Sequence, residues 1–139
     1  MPDALSPAPA PFRFPVRVYW EDTDAGGVVF YANYLKFFER ARTEWLRARG
    51  YDQERLRQES GLMFVVVHTA VRYRLPARLD DLLEISVEVR QAGAASMQFV
   101  QQATRDGTLL AEGDIKIGCV DVPGFRPRRI PAGILQETT

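Results

Sequence analysis

The chain is poor in the side chains on which much catalytic machinery is built. Its 139 residues include a single cysteine, Cys119, and a single histidine, His68. One cysteine excludes a disulfide within the chain and any cysteine metal cluster. One histidine argues against a His-rich zinc site. It also leaves no Ser–His–Asp or Cys–His relay unless His68 itself serves. Neither charge is in excess: 18 Lys and Arg balance 18 Asp and Glu. That balance gives no electrostatic footprint for nucleic acid. No apolar run approaches the roughly 20 residues of a membrane span. The first residues lack a basic stretch followed by an apolar core, so they do not read as a secretory signal. A cytoplasmic protein is the expectation, with no nucleic-acid partner, no membrane span, no metal and no cofactor.

What is present suits one soluble domain with a core of its own. Hydrophobic residues make up 46% and charged residues 26%, ordinary for a globular chain. Residues 1–11 interleave Pro2, Pro7, Pro9 and Pro11 with Ala and Ser and read as a flexible arm. Residues 12–139 read as a single domain. Phe14 to Trp20 is rich in β-branched and aromatic residues, and Pro15 points to an edge strand. From Ala32 to Arg49, Tyr34, Phe37, Phe38, Ala41, Trp45 and Ala48 recur at helical spacing and form one broad apolar face. Glu39 and Arg42 stand three apart with the acid first, a favourable order for a pair. Gly50 ends the helix. Asp52 is a candidate N-cap for a short polar helix or turn through Gln58.

After Gly61 the period changes from 3.6 to 2. Leu62 to Tyr73 reads as a long, mostly buried strand with Phe64–Val67 at its heart. Leu82 to Arg90, Ser96 to Thr104 and Leu109 to Val120 read as three more, and Asp106–Gly107 marks a hairpin between the last two. A short helical end near Ile134 is the last expectation. The order is strand, long helix, then four strands joined by turns. That is an α+β layout with an antiparallel sheet of five strands curled around one central helix. It leaves sheet edges and one sheet face to cover, an argument for self-association.

The stretch that carries chemistry is Glu21-Asp22-Thr23-Asp24-Ala25-Gly26-Gly27-Val28-Val29, between the first strand and the long helix. Gly26 and Gly27 let backbone approach another molecule closely. The free amides at the start of the following helix carry a positive partial charge. A carboxylate beside such amides supplies both halves of an acyl-transfer site: one group attacks or activates water, and an N–H holds the developing oxyanion. The plain alternative for each acid is turn formation.

These residues resemble a known family. Val16 to Val29, the following Tyr31-Ala32-Asn33-Tyr34, and Phe37-Phe38-Glu39-Arg40-Ala41-Arg42-Thr43-Glu44 look like the hotdog-fold acyl-CoA thioesterases of the 4-hydroxybenzoyl-CoA thioesterase type. Within it they are most similar to the subgroup associated with the Tol-Pal system of Gram-negative bacteria. Tyr73 with Pro76 to Asp81, and Cys119-Val120-Asp121, match further family blocks, so the likeness runs from about Phe12 to Ile130. It implies hydrolysis of acyl-CoA to free acid and CoA. It also implies homodimers that usually pair into tetramers, with active sites at subunit interfaces. The family's catalytic aspartate falls on Asp24, and its oxyanion amide falls on Tyr31. Gly26, Gly27 and Val28 then approach the substrate, with Asn33 either capping the first helical turn or touching substrate. Ser96 and Arg128 are expected near the CoA phosphates, although the plain reading of Arg126, Arg128 and Arg129 is a solvated tail. There are two departures. Many of the Tol-Pal-associated proteins carry histidine where this chain has Tyr31. The loop Gln91 to Ser96 is neutral where the family often places a basic residue, leaving Arg90 as the nearest cation.

Two other functions share the fold. A hotdog dehydratase needs a histidine paired with a carboxylate, which here means His68 reaching Asp24 across an interface. A binding or scaffold protein of the cell envelope keeps the fold and loses turnover. His68 reads more simply as a core or interface residue, and Cys119 as packing.

Overall fold

The computed structural model describes residues 11–135. The proline-rich arm therefore lies outside the described residues except for Pro11. Five strands form one antiparallel sheet: β1 (Phe12–Arg17), β2 (Leu62–Tyr73), β3 (Leu82–Ala92), β4 (Ser96–Arg105) and β5 (Thr108–Asp121), in spatial order β1-β3-β4-β5-β2. Helix α1 (Tyr34–Ala48) lies on one face, and α2 (Gln53–Ser60) follows it. A long helix held against a five-stranded antiparallel sheet is the α+β architecture expected from the pattern.

Alternation builds the inner layer. Leu83, Ile85 and Val87 of β3, Met97, Phe99 and Ala103 of β4, and Ile115, Ile117 and Cys119 of β5 are buried. They meet Phe37, Phe38, Ala41, Trp45 and Leu46 of α1. Gly113 is a groove cut for this contact, since a Cβ there would stand 2.7 Å from the Phe38 ring. Truncating such a buried aromatic costs about 3–5 kcal/mol. The outer face is polar and cross-linked, with Gln98 donating to Asp114 (2.7 Å) and Gln102 to Glu112 (3.3 Å). Val67, beside Gly118 on that face, is 56% exposed and gives it an apolar margin at the β2 edge.

Local signals explain the joints. Pro15 sits on β1, an edge strand, where its missing N–H costs nothing. Asp52 Oδ1 accepts from the Glu54 N–H at 3.0 Å and caps α2. Asp106 (φ 50°) and Gly107 (φ 81°) make the hairpin turn between β4 and β5.

Three expectations are corrected. α1 begins at Tyr34, because Tyr31–Asn33 winds as a separate 3-10 turn held by contacts described below. Arg42 does not pair with Glu39; it is buried and donates to Gln101 Oε1 at 2.9 Å. Burial pulls the guanidinium below its usual range, and the nearby Glu39 charge partly offsets this. β2 is not mostly buried. Val66 is 50% and Val67 56% exposed, because β2 is an edge strand that bulges between Val66 and His68.

Candidate active site

The acidic glycine segment folds into a small hairpin. Thr23 bridges Val29, the Asp24 N–H donates to the Val28 carbonyl (2.9 Å), and the Phe30 N–H donates to the Asp22 carbonyl (2.9 Å). Asp24-Ala25-Gly26-Gly27 is its tip. The Gly27 N–H closes the tip on the Asp24 carbonyl at 3.0 Å, and Gly27 takes φ 79°, a conformation that needs glycine. Asp24 Oδ1 accepts from the Gly26 N–H at 2.8 Å, and a Cβ on Gly26 would stand 3.2 Å from that oxygen. Asp24 is thus a turn former, yet its side chain is exposed and Oδ2 has no partner among the described residues.

The hairpin is bolted to the Pro76–Asp81 loop. The Val29 N–H donates to the Ala77 carbonyl (2.8 Å), and Val28 bridges Arg78. Asp81 organises that loop, accepting from the Arg78 N–H (2.8 Å) and from Arg105 (2.6 Å). Burial works against ionisation of Asp81. The Arg78 N–H and the Arg105 guanidinium outweigh it and hold the carboxyl below the usual range. This explains the second motif block: it anchors the hairpin.

After Phe30 the chain enters the 3-10 turn. The Tyr31 N–H has no acceptor among the described residues, whereas its carbonyl accepts from Tyr73 Oη at 2.8 Å. The Tyr31 ring is 65% exposed and stacks near Phe30 and Tyr73. Tyr34 Oη accepts from the Ala77 N–H at 3.2 Å, and burial pushes its hydroxyl pKa up. Asn33, expected either to cap or orient the first helical turn or to touch substrate, makes no side-chain cap bond; it is buried and its amide donates to Asp22 Oδ1 at 2.9 Å.

The structure therefore sets Asp24, Gly26, Gly27 and Val28 at one hairpin tip, and Tyr31 opens the 3-10 turn that continues the hairpin's second arm. It places Ser96 and Arg128 elsewhere. Ser96 begins β4, whereas Arg105, on the Asp24 side, ends it. Ten residues of strand put about 30 Å between them. Arg128 lies with Ser96: its N–H donates to the Cys119 carbonyl (2.9 Å), and the Ile130 N–H donates to the Ala94 carbonyl (2.8 Å). The Arg128 guanidinium stands 3.8 Å from Asp121. Ser96 lines an open cleft of about 220 Å³ with Gly93, Gln98 and Lys116. Lys116 is a cation lining this cleft beside the neutral loop. The signal for it was the alternation of β5, which sets it opposite Gln98. The sequence reading also missed Tyr34 and Tyr73 as fasteners of the helix start.

The remaining candidates stay outside the hairpin. His68 is exposed on β2. Cys119 is buried, which raises its thiol pKa, with Arg128 partly offsetting the rise. Among the described residues, no group of three or more His, Cys, Asp or Glu is placed to hold a metal ion, and no helix is long and apolar enough to cross a membrane.

Comparison with known proteins gives this arrangement a context. A family model for the thioesterase-like superfamily matches residues 18–137. The acyl-CoA thioesterase YbgC of Haemophilus influenzae is 48% identical over 120 residues, 86% of this chain and 88% of that protein. The acyl-CoA thioester hydrolase YbgC of Escherichia coli O157:H7 is 47% identical over 127 residues, 91% and 94% of the two chains. Among solved structures, a probable thioesterase from Bartonella henselae superposes with a TM-score of 0.83 at 35% identity, covering 88% of this chain and all of that one. The family match begins at Val18, takes in the whole hairpin and continues past β5, so the chain belongs to the thioesterase-like superfamily.

Proposed function

We propose that the protein hydrolyses acyl-CoA thioesters to the free acid and CoA. One observation carries the reading: a braced hairpin bears an unpartnered Asp24 carboxylate oxygen at its tip, and the 3-10 turn that continues its second arm opens with an unpartnered Tyr31 N–H. The relatives named acyl-CoA thioesterase support the substrate class.

The chemistry follows from those two groups. As general base, Asp24 takes a proton from water while the oxygen adds to the thioester carbonyl. The carbonyl oxygen becomes an anion held by the Tyr31 N–H. Collapse breaks the C–S bond, and the proton returns from Asp24 to the leaving thiolate. As nucleophile, Asp24 displaces the thiolate and forms an anhydride, which water then opens. In both routes the N–H acts only where charge develops, and it contributes about 3 kcal/mol. Gly26, Gly27 and Val28 bring backbone up to the substrate.

On this reading the active protein is a homo-oligomer, a dimer or a tetramer made of two dimers. Two features favour this. β2 leaves Val66 and Val67 exposed on an open edge. The distance from Asp24 to the Ser96–Arg128 end is also readily bridged by a second copy supplying that end. Assignment to the Tol-Pal-associated subgroup, and to the cytoplasm, rests on the motif blocks and on the sequence.

The test is release of free thiol from a panel of acyl-CoAs by wild type and Asp24→Asn. Equal release by both on every substrate would refute the mechanism. Acyl-CoA bound without release would make the protein a binding module. Sedimentation of Val67→Lys beside wild type tests the assembly, with a loss of mass expected for the variant.

A further inference from the structure

Asp22 and Asn33 are buried polar side chains that the proposed chemistry does not use; they are 4% and 6% exposed. Asp22 Oδ2 accepts from the Tyr19 N–H at 2.8 Å, and Oδ1 accepts from Asn33 Nδ2 at 2.9 Å. Among the described residues Asp22 has no ion-pair partner. A buried carboxylate is costly unless its oxygens are hydrogen-bonded, so the Asn33 amide is not incidental.

Its placement is informative. Asp22 stands two residues before Asp24, and Asn33 two residues after Tyr31. Asp24 and Tyr31 are exposed residues, so what lies beneath must hold them. The backbone ladder of the hairpin ends at Phe30. Beyond it, the Asn33 side chain ties the 3-10 turn back to the acidic arm, while Tyr73 ties it to β2.

We propose that the Asp22–Asn33 hydrogen bond sets the separation and angle between the Asp24 carboxylate and the Tyr31 N–H. Asn33 is then a positioning residue and not a substrate contact. The inference rests on the thioesterase reading above. The carboxylate and the amide must address one carbonyl at once, and a displacement of about 1 Å costs on the order of 100-fold in rate.

The experiment compares Asn33→Ala, Asn33→Asp and the swap Asp22→Asn/Asn33→Asp with wild type and Asp24→Asn. The substrate is the acyl-CoA that wild type hydrolyses fastest, at a temperature where circular dichroism shows every variant folded. Asn33→Ala is expected to lower kcat about tenfold and Asn33→Asp, which sets two carboxylates together, about 100-fold, with KM within about twofold. The swap rebuilds the bond with donor and acceptor exchanged, and it is expected to recover to within about tenfold of wild type. Unchanged kcat in both single variants overturns the inference. So does a swap no faster than Asn33→Asp, or a rise in KM at constant kcat. Hydrogen exchange reads the clamp without turnover: Asn33→Ala should speed exchange over residues 24–32 while Phe37–Leu46 stays protected, and unchanged exchange refutes it. Wild-type activity in Asp24→Asn would sink the reading of Asp24 while leaving the exchange result to judge the clamp.

Discussion

The two ends of the β4–β5 pair are built on different principles. At the Asp24 end, short backbone bonds, a buried carboxylate and two tyrosine hydroxyls fix a hairpin from below. At the Ser96 end, an open cleft is lined by a neutral loop and a long, exposed lysine. Under the proposed chemistry the first end holds groups whose work depends on fractions of an ångström. The second presents charge that acts over several ångströms and tolerates motion. Position matters at one end and sign of charge at the other, so substitutions should fall on kcat at the first and on KM at the second.

The largest effect is expected from Asp24→Asn, which keeps the shape of the tip and its Gly26 contact but removes the base or nucleophile. A loss of about 10²–10⁴ in kcat is expected, measured by thiol release. An equal loss on mutating Ser96 would erase the contrast between the ends. Tyr34→Phe comes next. It leaves the buried Ala77 N–H without its acceptor, which costs about 1–3 kcal/mol. Urea denaturation should show that loss, and kcat should fall with it because Ala77 also holds Val29.

These fasteners show where the sequence was legible. The helix face, the alternation of β3, β4 and β5, and the Asp-Gly hairpin are local patterns, and each reads directly from spacing. Asp24 with Gly26 and Gly27 is equally local, so the turn at the hairpin tip was legible, and its role as a site remains the proposal made above. The Tyr73–Tyr31 and Tyr34–Ala77 bonds join residues about 40 apart in the chain, and no period announces them. The exposure of β2 was misjudged because an apolar run has the same composition in a central strand as at an edge. Lys116 escaped notice because its nearness to Ser96 depends on the register of two strands.

A smaller effect tests whether the hairpin's anchor is electrostatic. The folded Asp81 carboxyl titrates below its ordinary value. Its stabilisation is therefore present above the unfolded carboxyl range, near pH 4, and is lost as pH falls through the folded value. Arg105→Ala should cost about 1 kcal/mol at pH 7, since both partners are partly exposed. The gap from wild type should close on acidification, as urea midpoints between about pH 7 and pH 2 would show. A gap that stays constant would mean that Arg105 stabilises through packing or its bond to the Pro76 carbonyl and not through Asp81.

The smallest effect lies at the other end. Lys116→Gln removes one exposed cation from the cleft that holds Ser96. If that cleft receives the phosphates of CoA, KM should rise by about 1.5- to 5-fold with kcat unchanged, the scale of an exposed charge contact. The rise should shrink as ionic strength grows, because the Debye length falls from about 10 Å at 0.1 M salt to about 3 Å at 1 M. A steady-state salt series on both proteins decides the point. A fall in kcat would place Lys116 among the groups that must be held rigidly, and the division of labour between the two ends would then be wrong.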